Sequence, residues 1–283
     1  MDNGPMRGAY GLRVLGIPGA SPWMELQPEA APCLHVGVDI ADPDDGPSAY
    51  DTDAADLRLL GGARLVAHRG SGEVHYRFPS VPPDADLLHP YLAAAAALVW
   101  RWEGREAIHA GAVAVGGGAV LLLGGREAGK STTLGWLSSA GIPVLTDDLA
   151  VLDGNQVLAG PRSVDLRRAN TATVGTHQVR GGGRHRVRLP PAPRSLPLRG
   201  ISVLEWGESL VVSPVPIEQR AGLLAPQRHF PDLATDPRAF LELLSVPPFR
   251  ITRPRGLASV AATGEAIMET FGRPSPATRP GGA

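Results

Sequence analysis

Cysteine is almost missing from this chain of 283 residues: Cys33 is the only one, so no intrachain disulfide can form, and a reducing compartment is the expectation. Lysine is equally scarce. Lys130 stands alone, and every other Lys or Arg position holds arginine. Such a bias reflects genome composition more than physics, yet one position has kept the compact ammonium, as a point charge in a tight space would require. Long apolar runs are missing too. The longest, residues 91–100, falls well short of the roughly 20 residues of a membrane helix. With a formal net charge of -1 there is no global electrostatic case for nucleic acid or an anionic membrane as partner. The N-terminal residues carry Asp2 and little apolar content, which does not suit a signal peptide. These absences lead to the expectation of a soluble, cytoplasmic protein that binds neither nucleic acid nor membrane.

What is present is an ordinary globular composition, 43% hydrophobic and 19% charged, on a chain long enough for one large domain or two small ones. Residues 1–86 read as a β-rich unit, with short alternating strands at 12–15, 34–38, 63–67 and 74–78 and an acidic, turn-rich loop at 41–56. A leucine- and alanine-rich helix follows at 86–101. In the domain expected over 87–272, two apolar runs at 112–115 and 119–123 flank three glycines and predict a hairpin. A glycine-rich loop, a helix at 131–140 and a short buried strand at 142–145 come next. Residues 149–152 and 156–159 flank Asp153-Gly154-Asn155, a second hairpin, which argues for a mixed sheet rather than repeated βαβ units. Residues 170–199 read as an arginine-rich loop. Strands are expected at 201–206 and 210–214, helices at 237–244 and 258–271, and a disordered tail from 273 to 283.

Chemistry concentrates in the middle of the chain. Gly124-Gly125-Arg126-Glu127-Ala128-Gly129-Lys130-Ser131 fits G-x-x-x-x-G-K-[ST] between a predicted strand and a predicted helix. In such a loop the glycines let successive N–H groups turn inward onto phosphate oxygens, and the following helix presents its positive N-terminus to the same anion. Lys130 would reach the β- and γ-phosphates of a nucleoside triphosphate and the Ser131 hydroxyl would ligate Mg²⁺, with Thr132 completing the segment. Asp147 and Asp148 end the next strand, beside the loop; one carboxylate suits the metal and the other the proton of an attacking hydroxyl. His109, just ahead of the first hairpin, reads as structural when taken alone. Arg180, Arg184, Arg186 and Arg188, with His185, surround three glycines and suit either a phosphate or substrate clamp or a solvated loop. Arg162, Arg167, Arg250, Arg253 and Arg255 are similarly ambiguous.

Three segments taken together resemble the HPr kinase/phosphorylase family, and more closely its serine-kinase-like branch associated with peptide modification, lasso peptide kinases among them. They are Ile108-His109-Ala110-Gly111-Ala112-Val113, the stretch from Leu123 through the loop to Thr132, and Val144-Leu145-Thr146-Asp147-Asp148-Leu149-Ala150-Val151. The resemblance covers roughly residues 105–168. It implies the mixed-sheet α/β fold shared with phosphoenolpyruvate carboxykinase, ATP and Mg²⁺ as cofactors, and a catalytic rather than structural His109 that orients or tunes one of the aspartates. True HPr kinases carry a glutamate directly after the P-loop serine, where this chain has Thr132. That departure favours the peptide branch, with a serine hydroxyl of a peptide or small protein as acceptor and a homo-oligomer left open. A kinase of free serine and a nucleotide-dependent switch are the other readings.

Overall fold

A computed structural model describes residues 6–42, 46–83, 86–167, 177–179, 184–234 and 236–272. The expected tail and Arg180 lie outside these residues. The fold is mixed α/β; among the described residues there are three sheets, two combining parallel with antiparallel pairs and one antiparallel throughout.

The first sheet holds β1 (Arg7–Ala9), β2 (Leu12–Leu15), β3 (Glu25–Leu26), β4 (Cys33–Ile40), β5 (Ala49–Tyr50), β6 (Ala54–Arg58), β7 (Arg64–His68) and β8 (Glu73–Phe78). Its order is β3-β1-β2-β4-β8-β7-β6-β5. Where a loop was expected over 41–56, β5 and β6 form instead. Ala55 and Leu57 turn inward on β6, and the acidic Asp56 pairs with the buried Arg64 at 2.7 Å. Helix α1 (Leu92–Trp102) shares one apolar cluster with this sheet, burying Leu92, Leu98 and Trp100. The β1–β2 hairpin turns on Tyr10 and Gly11, both at positive φ (56° and 73°), as a two-residue turn matched to the strand twist requires. Trp100 donates its indole N–H to the Tyr10 carbonyl at 2.7 Å, which ties the turn to the helix.

The second sheet contains β9 (Glu106–Ile108), β10 (Gly111–Val115), β11 (Gly118–Leu123), β12 (Val144–Thr146), β13 (Ala150–Asp153) and β14 (Gln156–Leu158). A separate three-stranded sheet is made of β15 (Ser163–Arg167), β16 (His177–Val179) and β17 (Arg184–Arg188). The second sheet is completed by β18 (Ser195–Trp206), β19 (Val211–Pro214) and β20 (Pro248–Arg253), with path order β12-β10-β11-β18-β14-β13-β9 and with β20 between β18 and β19. Strand β11 is buried throughout because both of its faces are covered. Val120 and Leu122 face α2 (Lys130–Ser139) and α5 (Ala258–Gly272), while Ala119, Leu121 and Leu123 face α3 (Ile217–Leu224) and α4 (Pro237–Ser245). Among the described residues no helix is long and apolar enough to cross a membrane.

This topology sets the site. Strand β11 runs parallel to β18, and β18 parallel to β20, so all three end at one edge. Strand β10 is antiparallel to both β11 and β12, which puts the end of β12 and the entry to β10 at that same edge. The P-loop motif, Asp147-Asp148, His109, Trp206 and Arg253 are therefore neighbours although up to 144 positions separate them (253 minus 109).

Within the arginine-rich stretch expected as a loop, the described residues include strand at His177–Val179, Arg184–Arg188 and from Ser195 onward. Arg186 is fully buried, and its Nε and Nη2 donate to Asp165 Oδ1 and Oδ2 at 2.9 and 3.0 Å across the β15–β17 pair. A forked, two-point ion pair of this kind satisfies both planar groups inside the protein, so the Arg186 guanidinium is committed to Asp165 rather than held on a mobile clamp. Arg184, two residue pairs further along, remains exposed. Removing one member of a buried ion pair is costly because the other charge stays behind. Arg186→Met should lose about 3–5 kcal/mol in urea unfolding, and pairing it with Asp165→Leu should restore much of that loss. Equal stability of the single variant and the wild type would show that the pair does not hold this sheet.

Candidate functional site

Strand β11 ends at Leu123 and helix α2 starts at Lys130, leaving 124–129 as the connecting loop. Two glycines are needed for its shape. Gly129 caps the helix in the left-handed region at φ 84°, and a Cβ there would lie 2.7 Å from Arg253 Nη2. A Cβ on Gly124 would meet the Leu204 carbonyl oxygen at 2.9 Å and Ala128 Cβ at 2.8 Å. Glu127 also has positive φ, 67°, unusual for a residue with a side chain, and its carboxylate pairs with Arg167 from the end of β15. Gly125, Arg126 and Glu127 are exposed at the mouth of the loop, while Ala128, Lys130 and Thr132 are buried.

Lys130 is 8% exposed, and its Nζ donates to the Gly124 carbonyl at 2.7 Å. Burial depresses its pKa, and the nearby Asp147 and Asp148 oppose that effect. The same Nζ lies 3.2 Å from His109 Nε2, and His109 Nδ1 lies 3.3 Å from Asp148 Oδ1. An ammonium has only protons to offer, so this network assigns Nε2 as the acceptor and places the ring proton on Nδ1, facing the carboxylate. The imidazole thus bridges the P-loop lysine and one aspartate. Its own pKa is lowered, chiefly by burial, which favours the neutral ring.

Asp147 and Asp148 sit in a sharp turn. The Leu149 N–H donates to the Asp147 carbonyl at 2.9 Å, and Asp148 between them has φ 70°. A three-residue turn of that kind is strained, and strain at a carboxylate held beside a P-loop lysine is characteristic of functional positions. The turn points the two acids differently. Ser131 Oγ donates to Asp147 Oδ1 at 3.1 Å, whereas Asp148 faces His109. Burial, and then the charge of Asp148, push the Asp147 pKa up to about 7.

The donor set fits a hard divalent cation that is shared with phosphate. Among the described residues no group of three or more His, Cys, Asp or Glu could hold a metal by itself. Magnesium, however, takes one or two carboxylates and completes its shell with water and phosphate oxygens. Ser131 and Asp147 offer that partial set, and the crowding of two acids is what a cation would relieve.

Several residues at the site carried no signal in the sequence. Tyr10 reaches in from the first sheet, bonded through its side chain to Thr146 and through its N–H to Ala159 at 2.7 Å. With His89, Asp147, Pro161, Ser163 and Asp165 it encloses a crevice of about 10 Å³, room for about one water. His89 Nδ1 stands 3.9 Å from Asp148 and its Nε2 4.0 Å from Asp165. On the other side His229 packs edge-on against His109, with ring centroids 6.2 Å apart and its pKa pushed down to about 4, chiefly by burial. The segment carrying it is laid against β9: His109 N–H donates to the Gln227 carbonyl and His229 N–H to the Ala107 carbonyl. Arg162 is structural, donating to the Val144, Leu145 and Gly160 carbonyls beneath the aspartates. No local pattern marks such contacts, because each is made by backbone or packing brought in from elsewhere in the chain.

No protein-family model and no curated protein matches the chain. Among solved structures it is similar to the HPr(Ser) kinase/phosphatase from Coxiella burnetii, at 13% identity over 58% of this chain and 98% of that one, with a TM-score of 0.29. A likeness of that size carries no weight for fold or chemistry, which rest on the geometry of the site itself.

Proposed function

We propose that the chain is an ATP- and Mg²⁺-dependent kinase that transfers the γ-phosphoryl group to a serine hydroxyl of a peptide or small protein, on a P-loop core of the HPr kinase type. The observation that carries this reading is the pair of linked contacts at one sheet edge: Ser131 to Asp147, and Lys130 through His109 to Asp148. A module that only bound nucleotide would need the first. A second acid, oriented by a histidine and kept apart from the metal-side carboxylate, suits the activation of an acceptor hydroxyl. The peptide acceptor comes from the resemblance of the three motif segments to the peptide-modifying branch, where the C-terminal serine of a ribosomal natural-product precursor is a substrate.

In this reading Ser131 and Asp147 hold the magnesium, which when bound supplies charge neutralisation at the phosphate oxygens. Lys130 exchanges the Gly124 carbonyl for the phosphate oxygens and stabilises their charge from a buried position. Asp148 accepts the proton of the serine hydroxyl as its oxygen bonds to the γ-phosphorus and the bond to the β-phosphate oxygen breaks, releasing ADP. His109, donating from Nδ1, keeps Asp148 aimed. The glutamate that true HPr kinases place after the P-loop serine is replaced by Thr132, which is buried on the helix.

Incubation with ATP, Mg²⁺ and three acceptors tests the acceptor: a peptide ending in serine, the same peptide with an internal serine, and free serine, each followed by mass spectrometry. Phosphorylation of free serine alone would move the assignment to a small-molecule kinase. Lys130→Ala should remove ATP turnover with the fold intact by circular dichroism, and unchanged turnover would take the P-loop out of the mechanism. Asp147→Asn and Asp148→Asn should each lower the transfer rate by about 100-fold or more. They should differ in kind, the first raising the Mg²⁺ concentration for half-maximal rate and the second leaving it unchanged. His109→Ala should reduce kcat by about 10-fold or more with little change in the Kd for ATP, and a variant altered only in Kd would return His109 to a binding role.

A further inference from the structure

Five arginines are buried among the described residues, and four of them have a carboxylate at hand. Arg64 meets Asp56 at 2.7 Å, Arg101 meets Glu106 at 3.0 Å, Arg186 is forked onto Asp165, and Arg162, held by three carbonyls, has Glu25 at 4.0 Å. Arg253 is the exception. It is 1% exposed at the end of β20, and among the described residues no acid lies within ion-pair distance of it. Its Nη2 donates to the Ala128 carbonyl at 2.8 Å, its guanidinium carbon stands 4.4 Å from the centre of the Trp206 ring, and its Nε has no hydrogen-bond partner. Burial alone draws its pKa down to about 10.

The position of this unneutralised charge is specific. The guanidinium lies against the Ala128–Gly129 peptide, so close that Gly129 has no room for a Cβ. That peptide leads into the N-terminus of α2, itself a centre of partial positive charge. Lys130 follows immediately. Three positive sources thus converge on the loop, and a buried cation is stable only when an anion or a hydrogen-bond network compensates it. The single carbonyl contact and the Trp206 face supply part of that compensation, and the rest is missing.

We infer that Arg253 is a positioning residue of the phosphate cradle: it holds the Ala128–Gly129 turn and contributes a fixed charge whose counter-ion is the phosphate chain of the bound nucleotide. This rests on the nucleotide-binding reading above and adds to it a residue outside the P-loop motif. It has an unusual consequence for stability. Removing an uncompensated charge relieves the ligand-free protein, so affinity and ligand-free stability should move in opposite directions.

The test uses the full chain with Arg253→Met and Arg253→Gln, thermal unfolding without ligand, and calorimetric titration with ADP. Arg253→Met should unfold at the wild-type temperature or above it and bind ADP about 10-fold or more weakly. Arg253→Gln keeps an amide donor for the Ala128 carbonyl but no charge. It should bind ADP as weakly as the methionine variant, and it carries the same test should that variant not fold. ADP affinity in Arg253→Gln equal to that of the wild type would overturn the inference, leaving Arg253 as packing between β20 and the loop. A folded wild type that does not bind ADP would remove the nucleotide reading, and this inference with it. Wild-type binding matched by the variants removes this inference alone.

Discussion

The site depends on keeping one ammonium charged where water barely reaches. Lys130 has three fixed acceptors, the Gly124 and Gly125 carbonyls and His109 Nε2, and none is a carboxylate. A lysine salt-bridged directly to an aspartate would be more comfortable and less useful, because its charge would already be spent. Placing a neutral imidazole between cation and acid keeps the two linked but unquenched. The arrangement leaves Lys130 with weak partners that an incoming anion can displace, and leaves Asp148 aimed away from it. The same reasoning extends to the strained turn at Asp148, whose φ of 70° is the means by which adjacent acids face different partners.

The antiparallel insertion of β10 is what makes this economical. In a run of βαβ units each strand end would bring one loop to the ligand. Here β10 pairs with β11 on one side and β12 on the other, so a hairpin delivers the segment before β10, carrying His109, to the edge where β11 and β12 end. The parallel neighbours β18 and β20 then add Trp206 and Arg253 from the far side. Five short stretches of chain meet along one edge without a long loop among them.

How much of this could be read from the sequence follows from how local each feature is. The two hairpins, and a loop between strand and helix over the glycine-rich segment, are encoded within a few residues by glycines and apolar runs, and each lies where its pattern placed it; Asp147 and Asp148, expected to end a strand, fall just past it in a turn. The strands β15 and β17 were hidden because their pattern is inverted. Along Arg184-His185-Arg186-Val187-Arg188 the three central residues are buried and two of them are basic, so the usual reading of polar as exposed fails. Arg253 illustrates the same limit. Arginine among other arginines reads equally well as a solvated face or a substrate rim, and only the packing of Trp206 and the glycine-rich loop against it makes it an interior charge on the same strand face as Ile251. Tyr10 and His229 are invisible for a different reason: nothing near them in sequence refers to the residues they touch.

Tyr10 also says something about how the chain is put together. A turn residue of the first hairpin, pinned by Trp100 from behind and by Ala159 from beside, closes the back of the cavity behind Asp147. The amino-terminal strands are therefore a structural wall of the candidate site as well as a separate layer. An excised core beginning at β9 would have this wall torn out and bulk solvent at the back of an acid whose protonation depends on being shielded from it, so the site cannot be carved down to its most recognisable motif.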